Sequence, residues 1–230
     1  MNSAVVTPGF FHDFTSATET VGNDYPTFIS LGEFGAGRAA SGGLNRDIWQ
    51  FSNNGTSAYT LGANDYFTVS MTMVLFGESG TVDNEAGFII PNANGGFGGG
   101  DLQFIAKASQ DHFIGMFGGT GFWNSGLTYS ENTPVTLGMT YFYDTAASQN
   151  AFRFSVTYGG TTVYSPIQDW TGNLAGDTLG GYYQIGNGGT SPGASGEAVF
   201  AGISLAAVPE PSVLALLGLG GLAMVLRRRS

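Results

Sequence analysis

The strongest constraint on the fold of this chain is an alternation of apolar and polar side chains with a period of two residues. Residues 65–76 show it most clearly, and residues 134–143, 151–158 and 198–205 repeat it. Successive side chains of a strand point to opposite faces of a sheet, so this pattern predicts strands with one buried face. In the first segment the apolar face consists of Phe67, Val69, Met71, Met73 and Leu75.

Glycine-rich punctuation separates these segments and predicts how they are connected. Gly159 and Gly160 stand between residues 151–158 and Thr161, which predicts a two-residue hairpin. Residues 53–55 and 95–100 predict loops. No helical period precedes Pro209 and no fixed repeat is evident. The sequence therefore predicts an all-β fold, an antiparallel β-sandwich or jelly roll, rather than a propeller.

The charge balance argues against a nucleic-acid partner, and the absence of cysteine excludes two kinds of site. The 230-residue chain has 7 basic and 17 acidic residues, a net charge of −10. Residues 1–207 contain four of the basic and sixteen of the acidic residues, a net charge of −12. Such a body repels phosphate, so we expect no nucleic-acid partner. The chain contains no cysteine, which excludes disulfides and thiolate metal sites.

The last 22 residues have a three-part organisation that the body lacks. Pro209, Glu210 and Pro211 form a break in which neither proline donates a backbone N–H. Residues 213–226 follow without a charged side chain, and Arg227, Arg228 and Arg229 come next. The apolar run predicts a short helix that enters a membrane, with the arginines on the cytoplasmic side. It has 14 residues, against about 20 for a full span of hydrocarbon.

This C-terminal segment closely resembles the PEP-CTERM sorting signal of Gram-negative, biofilm-forming bacteria. The resemblance implies recognition by an exosortase at Pro209–Pro211, transient residence of residues 213–226 in the inner membrane, and removal of the tail. It further implies delivery to the cell surface or the extracellular matrix. Members of this family normally begin with a secretory signal peptide, whereas residues 1–9 lack its basic and apolar regions. We expect an exported β-sandwich domain over residues 1–207 and the sorting signal over residues 208–230.

The body has a second resemblance, to the concanavalin A-like (laminin-G-like) jelly roll. Residues 133–160 resemble one part of that fold, and residues 181–186 followed by 198–205 resemble its closing strands. The resemblance implies two packed sheets, with a concave face that often holds glycan. Folds of this type sometimes bind Ca²⁺.

Motifs for catalysis are missing from the sequence. The two histidines, His12 and His112, belong to no zinc motif, and neither a nucleophile elbow nor a phosphate-binding loop occurs. Asp83 and Glu85 would share a face as a strand, at a separation that a glycosidase pair could use. Residues 77–87, however, are predicted as a loop, and a solvated acidic loop is the favoured interpretation. Ca²⁺ ligation is a weaker hypothesis, with Glu78, Asp83, Asn84 and Glu85 as the candidate ligands.

One aromatic position is a candidate for sugar binding. Trp123 and Asn124 lie in a segment predicted as a loop, where an indole ring beside an amide could hold a sugar. The alternative, which we favour, is a tryptophan that covers the edge of the core. The resulting hypothesis is a non-catalytic, exported module that associates with extracellular polysaccharide. The alternatives are a polysaccharide-active glycoside hydrolase or lyase on the same fold, and a purely structural matrix protein.

Overall fold

The computed structural model describes residues 1–12, 18–36, 44–77, 83–91, 101–108, 112–118, 122–186 and 194–209. These residues form fifteen β-strands and no helix. In chain order the strands are β1 Ser3–His12, β2 Thr18–Asp24, β3 Phe28–Ala36, β4 Leu44–Ser52, β5 Phe67–Gly77, β6 Asp83–Ile90, β7 Leu102–Lys107, β8 Phe113–Phe117, β9 Trp123–Thr128, β10 Val135–Asp144, β11 Gln149–Tyr158, β12 Thr161–Tyr164, β13 Gln168–Trp170, β14 Gly180–Gly186 and β15 Ala194–Ala207. No described helix is long and apolar enough to cross a membrane.

The strands form two antiparallel sheets that pack as a sandwich. One sheet has seven strands in the order β1-β4-β14-β6-β7-β8-β9. The other has eight, in the order β12-β11-β10-β5-β15-β3-β2, with β13 paired to β11. In each sheet three of the six neighbouring pairs along this order are consecutive strands, and the other three join strands that are distant in sequence, as in a jelly roll. The predicted fold class is confirmed.

The alternation in the sequence determines which side chains enter the core. In β5 the five predicted apolar residues are at most 4 % exposed, whereas Thr68 on the opposite face is exposed. Strand β10 pairs with β5, and β11 pairs with β10, each with the same alternation. The largest fully buried side chains are aromatic and include Trp49, Tyr129, Tyr141, Tyr183, Phe88, Phe104, Phe154 and Phe200. Burial of these faces against each other is the main source of stability.

The hairpin predicted at Gly159 and Gly160 is present. Tyr158 pairs with Thr161, and the two glycines have φ angles of 56° and 80°. Two successive residues with positive φ form a turn whose twist matches that of the flanking strands, which explains why both positions are glycine.

Three segments differ from the prediction. Strand β6 begins at Asp83, within residues that we predicted as a loop, because Ala86, Phe88 and Ile90 supply an alternating buried face. Strand β9 begins at Trp123, where a loop was also predicted, because it pairs with β8 at the edge of its sheet. Strand β2 has almost no buried side chain and no apolar alternation, so the sequence did not indicate it. The predicted loop 95–100 and the predicted C-terminal helix lie outside the described residues.

Candidate functional site on the outer face of the seven-stranded sheet

Polar side chains line up across four neighbouring strands of the seven-stranded sheet. Gln184 pairs with Arg46 on one side and with Glu85 on the other, and Glu85 pairs with Lys107. We call Arg46, Gln184, Glu85 and Lys107 the polar row. It covers about 14 Å, because neighbouring strands lie about 4.8 Å apart.

The polar row lies on the face that points away from the other sheet. Its chain neighbours Ala86, Tyr183 and Ile185 belong to the core between the sheets. Adjacent strand residues point to opposite faces, so the row faces outwards. A second, smaller apolar cluster lies on the same outer face and consists of Ile48, Ile89, Ile105, Phe113 and Tyr182.

Hydrogen bonds connect three members of the polar row, Arg46, Gln184 and Glu85, with Tyr182 and Asp101 into one network. The Tyr182 hydroxyl and the Gln184 Nε2 both donate to Glu85 Oε1, each at 3.0 Å. The Arg46 Nε donates to Gln184 Oε1 at 2.8 Å. The Arg46 Nη1 forms an ion pair with Asp101 Oδ2 at 2.5 Å. The network therefore runs from a tyrosine through a carboxylate, an amide and a guanidinium to a second carboxylate.

The exposed fraction of the side chains rises gradually along this network. Tyr182 is 0 % exposed, and Glu85 and Gln184 are 8 % and 9 % exposed. The side chains of Arg46 and Asp101 are more accessible, at 13 % and 24 %. The Arg46 guanidinium also lies 5.2 Å from the centre of the Tyr182 ring. Gln184, Asp101 and the Tyr182 ring together hold the guanidinium in place.

The environment of Tyr182 determines its protonation. Burial raises the pKa of its hydroxyl well above the usual value, and the negative charge of Glu85 raises that pKa further. Tyr182 therefore keeps its proton at neutral pH, and its hydroxyl donates a hydrogen bond to Glu85. In this arrangement the tyrosine hydroxyl orients the carboxylate.

Three phenylalanines extend the site towards the edge of the sheet. The Phe113 and Phe122 rings are stacked, with centroids 5.2 Å apart and planes 9° apart. The Phe117 ring packs edge-on against both, at 5.7 Å and 5.2 Å. Phe117 is 45 % and Phe122 60 % exposed. Continuing the β7–β8 register places Phe113 beside Lys107, so this phenylalanine cluster adjoins the polar row.

The predicted sugar-binding pair is divided between two faces. Trp123 is partly buried and packs against the core, with its ring 6.2 Å from that of Phe104. Asn124 is exposed, and its Oδ1 accepts a hydrogen bond from the Gly126 N–H at 2.8 Å. The accessible aromatic side chain is that of Phe122, one residue earlier. Residue types alone do not indicate this, because the accessible position depends on which residue meets the core.

The predicted Ca²⁺ ligands are also divided. Asn84 is 1 % exposed, and its Nδ2 donates to the Phe76 carbonyl at 3.4 Å on the core side of β6. Glu85 belongs to the polar row on the opposite face. Glu78 lies outside the described residues, as does the side chain of Asp83. The structure thus does not bring Asn84 and Glu85 together.

A different group of carboxylates does converge, inside the sandwich. Ligand oxygens of Glu19, Glu33 and Asp47 lie within 4.8 Å of one another, and Glu33 and Asp47 are 0 % exposed. The Asn45 Nδ2 donates to Glu33 Oε2 at 3.3 Å. Such oxygen atoms could hold a hard cation such as Ca²⁺. Sequence reasoning missed the group because its members come from β2, β3 and β4, and β4 lies in the opposite sheet.

The sorting residues follow directly after the last strand. The structure describes the chain as far as Pro209, and Glu210, Pro211 and Arg227–Arg229 lie outside the described residues. Residues 207–229 match the PEP-CTERM protein-sorting motif. The motif implies an exported protein that is made as a membrane-anchored precursor and recognised by an exosortase. This agrees with the resemblance seen in the sequence.

The chain was compared with curated proteins and with solved structures, and only the solved structures show a similarity, which is one of overall fold. None of the curated proteins matches the chain. Among solved structures, the alginate lyase from Klebsiella pneumoniae has a TM-score of 0.49 at 10 % identity, covering 85 % of this chain and 86 % of that chain. The lectin UEA-II, complexed with galactose, has a TM-score of 0.46 at 9 % identity, covering 88 % and 98 %. The endo-β-1,4-glucuronan lyase from Trichoderma reesei has a TM-score of 0.44 at 12 % identity, covering 88 % and 94 %.

Proposed function

We propose that the body of this exported protein is a non-catalytic module that binds extracellular polysaccharide through the outer face of its seven-stranded sheet. The observation that carries the proposal is the hydrogen-bonded polar row beside the exposed phenylalanine cluster. Sugars offer hydroxyl groups for polar contacts and apolar ring faces for aromatic ones, and this surface supplies both kinds of partner.

Pre-ordering supports a binding role. Glu85 and Gln184 are held by the bonds described above, so the Arg46 guanidinium has little freedom left to lose when a ligand arrives. Less ordering on binding means a smaller entropic cost. The same face offers both signs of charge, since Arg46 and Lys107 are two of the four basic residues of residues 1–207 and lie beside Asp101 and Glu85.

The sorting signal indicates where in the cell envelope the body would bind polysaccharide. After export, the exosortase would recognise Pro209–Pro211 and cut the body away from the tail, whose apolar residues 213–226 lie in the inner membrane. The body would then be released to the cell surface or the extracellular matrix of a Gram-negative bacterium. There a polysaccharide-binding face would retain the protein.

The experiment that tests this role is depletion from solution by polysaccharides. Residues 1–208 are mixed with the producing cell's exopolysaccharide and with insoluble neutral and acidic glycans, with and without Ca²⁺. We expect saturable loss of protein from the supernatant on at least one glycan. Arg46→Gln should weaken this loss about tenfold or more, because it removes a charged hydrogen-bonding group.

A matched control is available on the other sheet. Arg153 is exposed in β11, and its guanidinium lies 4.9 Å from the Tyr164 ring centre, in the same kind of contact that Arg46 makes with Tyr182. Arg153→Gln should leave depletion unchanged. Equal loss of binding in both variants would show that overall charge matters and that the polar row does not. No depletion on any glycan would favour a purely structural matrix protein.

A second candidate function is hydrolysis or elimination on a polysaccharide. It is favoured by the position of two carboxyl groups, Glu85 and Asp101, in one network through Arg46. The measurement is the release of reducing ends or of unsaturated products from any glycan that depletes the protein. Activity that is lost in Glu85→Gln, while binding remains, would establish catalysis and overturn the non-catalytic proposal.

A further inference from the structure

The C-terminal end of strand β15 pairs with fewer neighbouring strands than the rest of β15 does. Strand β15 pairs with β3 only as far as Ala201 and Phe28, whereas its pairing with β5 continues to Ala207 and Phe67. Among the described strands, residues 204–207 therefore pair on one side alone. The Val208 N–H adds one more bond on that side, to the Tyr66 carbonyl at 2.9 Å. We call residues 204–208 the terminal segment.

A β-bulge separates the terminal segment from the central part of β15. The register with β5 shifts between Ala201 and Ser204, and Gly202 has a φ of +58°. A bulge leaves residues unpaired and interrupts the ladder. Glycine accepts the left-handed conformation without strain, so this point can act as a hinge.

The terminal segment has few contacts that would resist separation. Ser204, Ala206 and Ala207 are exposed, and only Leu205 and Val208 pack partly against the core. One exposed side-chain hydrogen bond joins the segment to β5, between the Ser204 and Ser70 hydroxyls at 2.8 Å. A cavity of about 280 Å³ lies alongside and is lined by residues 205–208 together with Tyr59, Leu61 and Tyr66. One-sided pairing, exposed side chains and a neighbouring cavity are the features of a segment that opens locally at low cost.

The sorting motif starts where this segment stops. Pro209 directly follows Val208, and the apolar run starts at Val213. The four residues between Val208 and Val213 span at most about 14 Å when fully extended. An enzyme that grips Pro209–Pro211 at the membrane therefore meets the folded body with no spacer between them.

We propose that the terminal segment is a releasable strap, and that the fraction of molecules in which it has separated from β5 sets the rate at which the exosortase processes this protein. The proposal rests on the sorting function that the motif implies. Enzymes that cut a peptide bond bind an extended stretch of chain on both sides of it. When such access requires local opening that is fast compared with cleavage, the rate follows the population of the open state.

The first test lengthens the connection. Six Gly and Ser residues are inserted between Val208 and Pro209 of the full chain, and tail removal is followed by pulse-chase in cells that contain the exosortase. The insertion makes opening unnecessary, so we expect processing to be about tenfold faster or more. The same insertion between Gly159 and Gly160, at the exposed hairpin turn, is the control and should leave the rate unchanged.

The second test locks the strap. Leu205 and Val69 lie directly opposite each other in the register, and the chain contains no other cysteine to interfere with the double variant Leu205→Cys, Val69→Cys. Directly opposed strand residues are within the range that a disulfide can bridge. We expect the oxidised form to be processed about tenfold more slowly than the reduced form of the same variant.

The outcomes distinguish the strap from the sorting function. Normal processing at equal rates in the two insertion variants, and in the oxidised and reduced forms, would overturn the strap and leave sorting intact. No processing of the unmodified chain would overturn the sorting function, and the strap with it.

Discussion

The hydrogen bond from Tyr182 to Glu85 can be tested by removing a single oxygen atom. In Tyr182→Phe the ring remains and Glu85 loses the hydroxyl donor at 3.0 Å, while Gln184 still donates to the same oxygen. Hydrogen bonds to charged groups contribute about 1.5–3 kcal/mol. Because Gln184 still donates to Glu85, we expect a loss of about 2 kcal/mol in the free energy of unfolding. For a protein of this size, that corresponds to a fall in Tm of about 4–8 °C.

The assay is urea denaturation followed by tryptophan fluorescence, with Tyr164→Phe as the control. Tyr164 is 58 % exposed, so its variant should change the free energy of unfolding by less than about 0.5 kcal/mol. Repeating Tyr182→Phe in a Glu85→Gln background should lower its cost to about 1 kcal/mol, because the acceptor is then neutral. An equal cost in both backgrounds would refute the reasoning that the charge of Glu85 strengthens this bond.

Other predictions concern the framework of the sandwich. Tyr129→Phe should cost about 1–3 kcal/mol in urea denaturation, because the Tyr129 hydroxyl accepts the Leu75 N–H at 2.9 Å and the variant leaves that amide unsatisfied; a cost near zero would contradict this. Burial raises the pKa of Tyr129 from 10.0 to about 12, so its contribution is complete below pH 10 and is lost as the pH rises from about 10 to 12. Denaturation across that range should therefore show a smaller loss of stability in Tyr129→Phe than in the unmodified chain. Gly180→Ala should cost about 1–3 kcal/mol or more, because its Cβ would lie 1.7 Å from the Trp49 carbonyl oxygen; normal thermal stability would refute this steric argument.

The sandwich could be predicted from the sequence because its evidence is local. Alternation identifies β5, β10, β11 and β15, and the paired glycines identify the turn between β11 and β12. Each of these signals is contained within about ten residues. Strand β2 carries no such signal, because an exposed edge strand buries too little to require apolar side chains.

The candidate site could not be predicted, because it depends on the order of strands in the sheet. Alternation can place a side chain such as Arg46 only on one face of its own strand, and Glu85 lies within residues 77–87, which were predicted as a loop. Alternation does not reveal that β14 lies between β4 and β6, with Gln184 joining the two side chains. Trp123 shows the same limit within one strand, since only the position of the core decides whether it or Phe122 is accessible.

The central claim, that polysaccharide contacts the outer face of the seven-stranded sheet, can be tested directly by NMR of arginine side chains. The Nε–H resonance of Arg46 reports on the polar row, and that of Arg153 reports on the other sheet. Both are assigned by Arg→Lys variants of residues 1–208, and soluble fragments of a glycan that depletes the protein are then titrated in. The account predicts a saturable shift of the Arg46 signal with Arg153 unmoved. A shift of Arg153 alone, or of neither signal at saturation, would contradict it.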